Sequence, residues 1–219
     1  MKIKKIKVVA FDCDGVLFDT NDANRAYYNR ILERMDLPPM TDEQFAYVQM
    51  NTVKDSLVYL CGEDRLDEAN SHRRGLGYTP FIKYMKKEPG IEDVLARLDA
   101  YGLHKAIATN RSNTMNQVLE QHGLADRFDM VVTALDVMRP KPAPEQLLKI
   151  LDYFDAEPAE MLYIGDSVLD SEAARSAGVI FTAYKNPELD ADFCVNDMEG
   201  VQTVVDGLLV PALFLNDKP

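Results

Sequence analysis

The chain has 219 residues, a hydrophobic fraction of 47% and a formal net charge of −12 at pH 7. This length suits one domain of ordinary size or a core with a smaller attached unit, and the apolar content excludes a disordered chain. The negative charge argues against nucleic acid and against anionic membrane surfaces as partners, because both select basic protein faces.

The cysteine pattern and the apolar runs set the expected compartment. Cys13, Cys61 and Cys194 are too few and too scattered for a disulfide framework or a CxxC metal site. The apolar run near the start reaches Asp12 too soon for a signal peptide, and no later stretch approaches transmembrane length. We therefore expect a soluble, cytoplasmic protein, either a monomer or a homodimer.

Strand-like and helical patterns alternate along most of the chain. The strand candidates are residues 6–11, 105–109, 129–133, 161–166 and 179–184, with a weaker one at 193–195. Apolar residues at helical spacing fill residues 91–102, 114–123, 144–154 and 169–178. Three of these helices end at a glycine suited to a helix cap, namely Gly102, Gly123 and Gly178. Strict alternation predicts parallel βαβ units and a doubly wound parallel α/β sheet.

The interval between the first two strands breaks this alternation. Residues 19–87 contain helical patterns and no convincing strand, and the interval is far longer than an ordinary crossover. Pro89 and Gly90 punctuate its end. We therefore predict an inserted α-helical domain at residues 19–87 and a core formed by residues 1–18 and 88–219.

Polar and charged residues follow four successive strands of the predicted sheet, whereas the fifth strand ends in nothing comparable. Reactive groups of open α/β sheets lie beyond the carboxyl ends of the strands, so these residues are expected to meet. They are, strand by strand, Asp12, Asp14 and Gly15; Thr109 and Asn110; Lys141; and Asp166 and Asp170. Arg111, next to Asn110, is predicted to be a surface or helix-start residue.

Four carboxylates gathered at one edge need a compensating charge. Each repelling pair near 4 Å costs roughly 4 kcal/mol at an effective dielectric of 20, and a few such pairs rival the stability of a domain, about 5–15 kcal/mol. The cluster therefore requires a divalent cation, a shared proton, or both. Oxygen ligands without clustered histidine or cysteine favour Mg²⁺, which at such a place usually also holds a phosphate.

The remaining groups suit a phosphate. Thr109 offers a hydroxyl, Asn110 an amide and Lys141 an ammonium, and Gly15 lets backbone N–H groups approach the ligand. A carboxylate that touches both metal and phosphate can act as a nucleophile. Of the pair Asp12 and Asp14, one can then attack while the other exchanges a proton with the leaving oxygen.

Four segments in order resemble the motifs of the haloacid-dehalogenase-like hydrolases. They are FDCDGVLFDT (11–20), ATNRS (108–112), RPKPAPE (139–145) and YIGDSVLDSEAARSAGV (163–179). The resemblance is to the small phosphatases of the family, and it implies a Rossmann-like core with a helical cap inserted after the first strand. The inserted region at residues 19–87 falls where the family carries its cap.

The resemblance also implies roles for individual residues. Asp12 would be the nucleophile that becomes phosphorylated, and Asp14 the general acid and then the base that activates water. Thr109 and Asn110 would bind the phosphoryl group, and Lys141 would neutralise its charge and that of the nucleophile.

The same resemblance implies the metal site. Mg²⁺ would be held by Asp12, the backbone carbonyl of Asp14, and Asp166. Asp170 would lie in the outer shell or bind the metal through water.

The expected function is Mg²⁺-dependent hydrolysis of small phosphorylated metabolites, first phosphoglycolate and then sugar phosphates. Val16 stands where family phosphatases commonly show threonine, and this variant also occurs among sugar phosphomutases, so a mutase is the alternative. A non-enzymatic phospho-acceptor resembling response-regulator receivers is a third reading. The long insertion counts against it. On the inserted region, Arg73 or Arg74 is a candidate contact for an anionic part of the substrate.

Overall fold

A parallel sheet forms the centre of the protein in the computed structural model, which describes residues 6–209. Six strands pair in the order β5-β4-β1-β6-β7-β8, and β2 pairs with β3 separately. The strands are, in chain order, β1 (Val8–Phe11), β2 (Phe18–Asp19), β3 (Lys86–Lys87), β4 (His104–Ala108), β5 (Met130–Val132), β6 (Met161–Gly165), β7 (Ile180–Tyr184) and β8 (Phe193–Val195).

Helices occupy most of the chain between these strands. They are α1 (Asn21–Arg34), α2 (Asp42–Met50), α3 (Val53–Cys61), α4 (Leu66–Leu76), α5 (Ile91–Ala100), α6 (Met115–Gln121), α7 (Glu145–Tyr153), α8 (Val168–Ala177) and α9 (Met198–Leu209). Short 3₁₀ helices lie at Glu63–Arg65, Thr79–Tyr84, Ala134–Asp136 and Pro158–Glu160. Within residues 6–209, no helix has the length and apolar character that a membrane span requires.

The register of the central strands brings their carboxyl ends level. Every residue of β1 and of β6 is buried, as expected for strands covered on both faces of a parallel sheet. Phe11 lies opposite Ile107 of β4 and Ile164 of β6. The segments that follow these three strands therefore leave the sheet at one edge. β4 and β5 lie on one side of β1, and β6, β7 and β8 lie on the other, so the strand order changes direction at β1. Open α/β sheets bind ligands beyond the carboxyl ends of the strands at such a point.

The chain divides into two compact units. The first runs to Phe18 and resumes at Lys87, and the second comprises Asp19–Lys86. The predicted core range also includes residues 1–5 and 210–219, which lie outside the described residues. The assignment of the two units as catalytic core and cap stays a prediction.

The second unit is built mainly from α1 to α4 and the 3₁₀ helix Thr79–Tyr84. Tyr27 of α1 packs edge-on against Tyr78 and Phe81, with ring centroids 5.1 and 5.3 Å apart. Thr41 and Gln44 form a reciprocal capping box that starts α2. Tyr27 and Phe81 are buried and thus contribute to the insertion's own small core.

The doubly wound parallel α/β fold predicted from the sequence is confirmed, and two details differ. The prediction of no strand in residues 19–87 is wrong, because β3 and part of β2 fall inside that range. Two-residue strands carry too little alternation to be detected. Helix α9 was not predicted, although its buried residues Met198, Val201 and Val205 recur at helical spacing.

Gly178 ends α8 in the left-handed conformation, with φ +72°, and donates its N–H to the Ala174 and Arg175 carbonyls. We expect Gly178→Ala to destabilise the protein by about 1–2 kcal/mol, because an alanine disfavours this conformation. An added Cβ would lie 3.7 Å from Pro158, an ordinary contact, so the loss isolates backbone strain.

Gly207 provides the matched control, since it lies inside α9 and nothing stands within 4 Å of an added Cβ. Gly207→Ala should stabilise by about 0.4–1 kcal/mol. Calorimetric melting of both variants measures the two changes in stability. A Gly178→Ala protein as stable as wild type would contradict the assignment of Gly178 as the left-handed C-cap of α8.

Candidate active site

The loop after β1 turns sharply at Gly15. Asp12 is anchored by its N–H, which donates to the Ile164 carbonyl of β6 at 2.8 Å. Gly15 has φ +81°, and a Cβ there would lie 2.6 Å from Cγ of Asp166. The glycine thus permits both the turn and the close approach of Asp166, which directly follows β6.

Lys141 lies at the centre of the polar groups. Its ammonium is 2.8 Å from Oδ1 of Asp12 and 2.6 Å from Oδ1 of Asp170. It also donates to the Tyr163 hydroxyl at 2.9 Å and to the Ala108 carbonyl at 3.0 Å. The side chain is only 3% exposed. Burial alone would lower the pKa of Lys141, but the two carboxylates raise it above its ordinary value, so the ammonium stays charged.

Asp170 is fully buried and has hydrogen-bond donors on both carboxylate oxygens. Oδ1 accepts from Lys141 and from the Tyr163 hydroxyl, and Oδ2 accepts from the Ser167 N–H at 3.0 Å and from its hydroxyl. Ser167 is the N-cap of α8, and Asp170 closes its capping box. Burial opposes the charge, but Lys141 and these donors lower the pKa of Asp170 below its ordinary value. Asp170 is therefore a fixed anion.

Asp12, Asp166 and Asp170 each offer a carboxylate oxygen within 4.8 Å of the others. Burial, together with its acidic neighbours, raises the pKa of Asp12 to about 7 and that of Asp166 to about 8. With all three carboxylates ionised, only one buried ammonium would face them, and the cluster would carry surplus negative charge. A purely oxygen donor set with this surplus fits a hard divalent cation such as Mg²⁺.

Asp14 faces a different partner. Arg111 binds its carboxylate through two nitrogens, with Nη2 2.5 Å from Oδ1 and Nε 3.2 Å from Oδ2. The Arg111 side chain is 8% exposed, whereas that of Asp14 is 39% exposed. The prediction that Arg111 is a surface or helix-start residue is therefore wrong. Its guanidinium also donates to Thr114, which starts α6.

Thr109 and Asn110 lie beside Lys141 at the end of β4. Thr109 is buried, and its hydroxyl accepts the Arg111 N–H at 3.1 Å. The Asn110 amide donates to the Lys141 carbonyl at 2.9 Å. The structure thus brings the predicted site residues of the core unit to one edge of the sheet. Arg73 and Arg74 lie on α4 of the other unit, and their proposed contact with substrate stays a prediction.

Three residues around the site were missed from the sequence. The Tyr163 hydroxyl forms hydrogen bonds with Lys141 and Asp170. The Gln146 side chain forms hydrogen bonds with the backbones of Thr109 and Lys141. The Asn186 amide donates to the Asp166 carbonyl at 2.9 Å. Asn186 follows β7, so the prediction that the fifth strand offers nothing comparable is wrong. A signal existed for Gln146, because it occupies a position on the apolar face of α7.

Comparison with known proteins identifies the family. The haloacid dehalogenase-like hydrolase family model matches residues 9–184. Phosphoglycolate phosphatase of Chromobacterium violaceum is 32% identical over 218 residues, covering 90% of this chain and 96% of that protein. The Nitrosospira multiformis phosphoglycolate phosphatase is 33% identical over 183 residues, covering 79% and 80%. A crystal structure of a HAD-superfamily hydrolase of subfamily IA from Geobacter sulfurreducens has a TM-score of 0.83 and 35% identity, covering 91% of this chain and 96% of that one.

The chain therefore belongs to the haloacid dehalogenase-like hydrolases. This membership confirms the family predicted from the sequence, and the phosphatase relatives support the predicted enzyme class. A non-enzymatic receiver domain is set aside, because the match runs through a hydrolase family from β1 to β7.

The raised pKa of Asp166 predicts how the stability of the metal-free protein responds to pH. The folded state keeps the Asp166 proton up to about pH 8, whereas the unfolded state releases it near 3.8, so folding stability falls as the pH rises between these values. Asp166→Asn removes this loss of stability with rising pH, because asparagine has no carboxyl group to titrate. In the metal-free protein we expect the variant to be more stable than wild type by an amount that grows across this range.

Thermal melting in EDTA and in Mg²⁺ checks this prediction. Mg²⁺ should raise the melting temperature of wild type, since a ligand of the folded state stabilises it, and should do so far less for Asp166→Asn. Asp126→Asn, at an exposed position outside the cluster, is the matched control and should respond to Mg²⁺ as wild type does. Equal Mg²⁺ responses of all three proteins would contradict the metal site.

Proposed function

We propose that the protein is a Mg²⁺-dependent phosphatase that hydrolyses small phosphorylated metabolites through an aspartyl-phosphate. The observation that carries this proposal is the buried Asp12 carboxylate, which is bound by Lys141 and clustered with Asp166 and Asp170 at the end of β1. Membership of the haloacid dehalogenase-like hydrolases and the similarity to two phosphatases support it.

In the first step, an oxygen of Asp12 attacks the phosphorus and the bond to the leaving oxygen breaks. Asp14 supplies a proton to that oxygen, which leaves as an alcohol. The ammonium of Lys141 holds the Asp12 carboxylate and offsets negative charge on the phosphoryl group. Thr109 and Asn110 orient the phosphoryl oxygens. Gly15, which has no side chain, lets the backbone N–H groups of the loop after β1 approach these oxygens.

In the second step, water attacks the aspartyl-phosphate. Asp14, now deprotonated, takes a proton from the water, and the bond between phosphorus and the Asp12 oxygen breaks to give inorganic phosphate. Asp14 is the more exposed of the two loop carboxylates, which suits a group that exchanges protons with an incoming water.

Asp12, Asp166 and the backbone carbonyl of Asp14 would hold Mg²⁺, with Asp170 outside the first coordination shell. This assignment is supported by the four donors that already occupy the oxygens of Asp170. The ion would neutralise the surplus charge of the cluster and of the phosphoryl group.

Phosphoglycolate is the first substrate to test, since the relatives at 32% and 33% identity are phosphoglycolate phosphatases. A panel of phosphorylated metabolites with Mg²⁺ should give phosphate release from one or a few of them. Sugar 1-phosphates belong in the panel, because isomerisation to the 6-phosphate without phosphate release would indicate a mutase instead. Cytoplasmic location, oligomeric state and the cap role of residues 19–87 stay predictions.

Asp12→Asn tests the nucleophile. The amide keeps the size of the side chain but is a poor nucleophile, so we expect turnover of the best substrate to fall by about 10³-fold or more while the fold is retained. Phosphate release and circular dichroism measure the two effects. Near-normal turnover by a folded Asp12→Asn protein would contradict the assignment.

Asp14→Asn tests the proton donor through the leaving group. An alkyl phosphate needs its leaving oxygen protonated, so turnover should fall by about 10²–10⁴-fold. p-Nitrophenyl phosphate releases a far more stable anion, so its first step should lose much less. Single-turnover rates on both substrates compare this step directly. Equal losses on the two substrates would argue that Asp14 does not protonate the leaving group.

A further inference from the structure

Gln146 is a buried polar side chain that the proposed steps do not use. It lies in the first turn of α7 and is 0% exposed, on the same helix face as Leu147 and Ile150. A buried amide costs free energy unless both its donor and its acceptor are paired. The partners of this amide are therefore informative, and they are the backbone of Thr109 and Lys141, with a longer contact of 3.5 Å from Nε2 to the Val132 carbonyl.

The donor side of Gln146 completes the sheet where β4 ends. The Thr109 N–H donates to the Val132 carbonyl at 3.0 Å, so a regular parallel ladder would pair the Thr109 carbonyl with the N–H of Ala134. That N–H donates instead to the Arg111 carbonyl at 3.2 Å. Nε2 of Gln146 takes its place, 2.6 Å from the Thr109 carbonyl oxygen. The side chain thus anchors the chain at the point where it leaves the sheet for the site.

The acceptor side of Gln146 holds the segment that carries Lys141. Its Oε1 accepts the Lys141 N–H at 3.2 Å, while the Asn110 amide donates to the Lys141 carbonyl at 2.9 Å. Lys141 belongs to neither a helix nor a strand, so these two side chains supply its backbone partners. The single amide of Gln146 thus bridges the backbones of Thr109 and Lys141, which are far apart in sequence, and adds to the direct bonds of Lys141 with Asn110 and Ala108.

We infer that Gln146 is a positioning residue that fixes the Thr109 hydroxyl relative to the Lys141 ammonium. The inference rests on the proposed function, in which both groups hold the phosphoryl group. Without the amide, the Thr109 carbonyl and the Lys141 N–H lose this side-chain partner. The two segments then stay joined only through the bonds of Lys141 with Asn110 and Ala108, so the spacing of the Thr109 hydroxyl and the Lys141 ammonium shifts. A displacement of about 1 Å at reacting groups lowers a rate by about 10²-fold.

The test compares Gln146→Met, Gln146→Glu and Ile150→Val. Methionine keeps the length of the side chain and removes all of its hydrogen bonds, whereas glutamate keeps the acceptor for Lys141 and loses the donor to Thr109. Ile150→Val is the matched control, because it removes one methyl group from the same buried face of α7. Each protein is assayed on p-nitrophenyl phosphate with Mg²⁺, below the melting temperatures of all variants, with inorganic phosphate as inhibitor.

For Gln146→Met we expect kcat to fall by about 10- to 100-fold and inhibition by inorganic phosphate to weaken. Gln146→Glu should lie between this variant and wild type. Ile150→Val should keep the kcat and the phosphate inhibition of wild type. A residue that only stabilised the fold would lower the melting temperature and leave both kinetic readouts unchanged.

A folded Gln146→Met protein with wild-type kcat and wild-type phosphate inhibition would overturn the inference. If neither Gln146 variant folded, the residue would be structural and the inference would also be overturned. Failure of the proposed function has a separate signature: the wild-type protein would then hydrolyse neither p-nitrophenyl phosphate nor any member of the metabolite panel.

Discussion

The site depends on one buried ammonium placed between two carboxylates. Removing Lys141, Asp12 and Asp170 from water is costly, and close contacts repay the cost only when the remaining donors and acceptors are also satisfied. Tyr163 and the cap residue Ser167 meet that condition for Asp170, whose charge is thereby fixed. Lys141 offsets one negative charge and leaves a surplus on the other members of the cluster. The surplus costs stability in the metal-free protein, and it is the feature that a cation and a phosphoryl group require.

The parallel sheet explains how such a cluster can form from separated segments. Because β1, β4 and β6 lie in register, the residues that follow them reach the same edge without long connections. Local structure then sets each side chain: the positive φ of Gly15 folds the first loop against Asp166, and the capping box of α8 orients Asp170. The backbone geometry thus brings these side chains to one edge of the sheet, and their hydrogen bonds fix how each side chain is oriented.

The site residues that the sequence predicted are mainly those whose position is set by the end of a strand. Asp12 and Asp166 are recognisable because they directly follow buried runs, and burial makes a charged residue there conspicuous. Lys141 lies beyond the loop that follows β5 and is recognisable by its position between Pro140 and Pro142. Arg111 was misjudged because its position after β4 does not say where its guanidinium points, and its partner Asp14 lies on another segment. Asn186 was missed for the same reason. Gln146 was open to detection as a polar residue on the apolar face of α7, but its partners depend on how β4 and β5 diverge, which periodicity does not report.

The two loop carboxylates are only two residues apart, yet their surroundings differ in the way that two roles would need. The Asp12 side chain is 11% exposed and bound by the ammonium, whereas Asp14 is 39% exposed and held by a guanidinium. A nucleophile gains from fixed orientation and from loss of hydration, because less reorganisation is left for the reaction. A group that exchanges protons must instead meet both the leaving oxygen and water. This difference in burial supports the proposal, made first from the family resemblance, that Asp12 attacks and Asp14 transfers the proton.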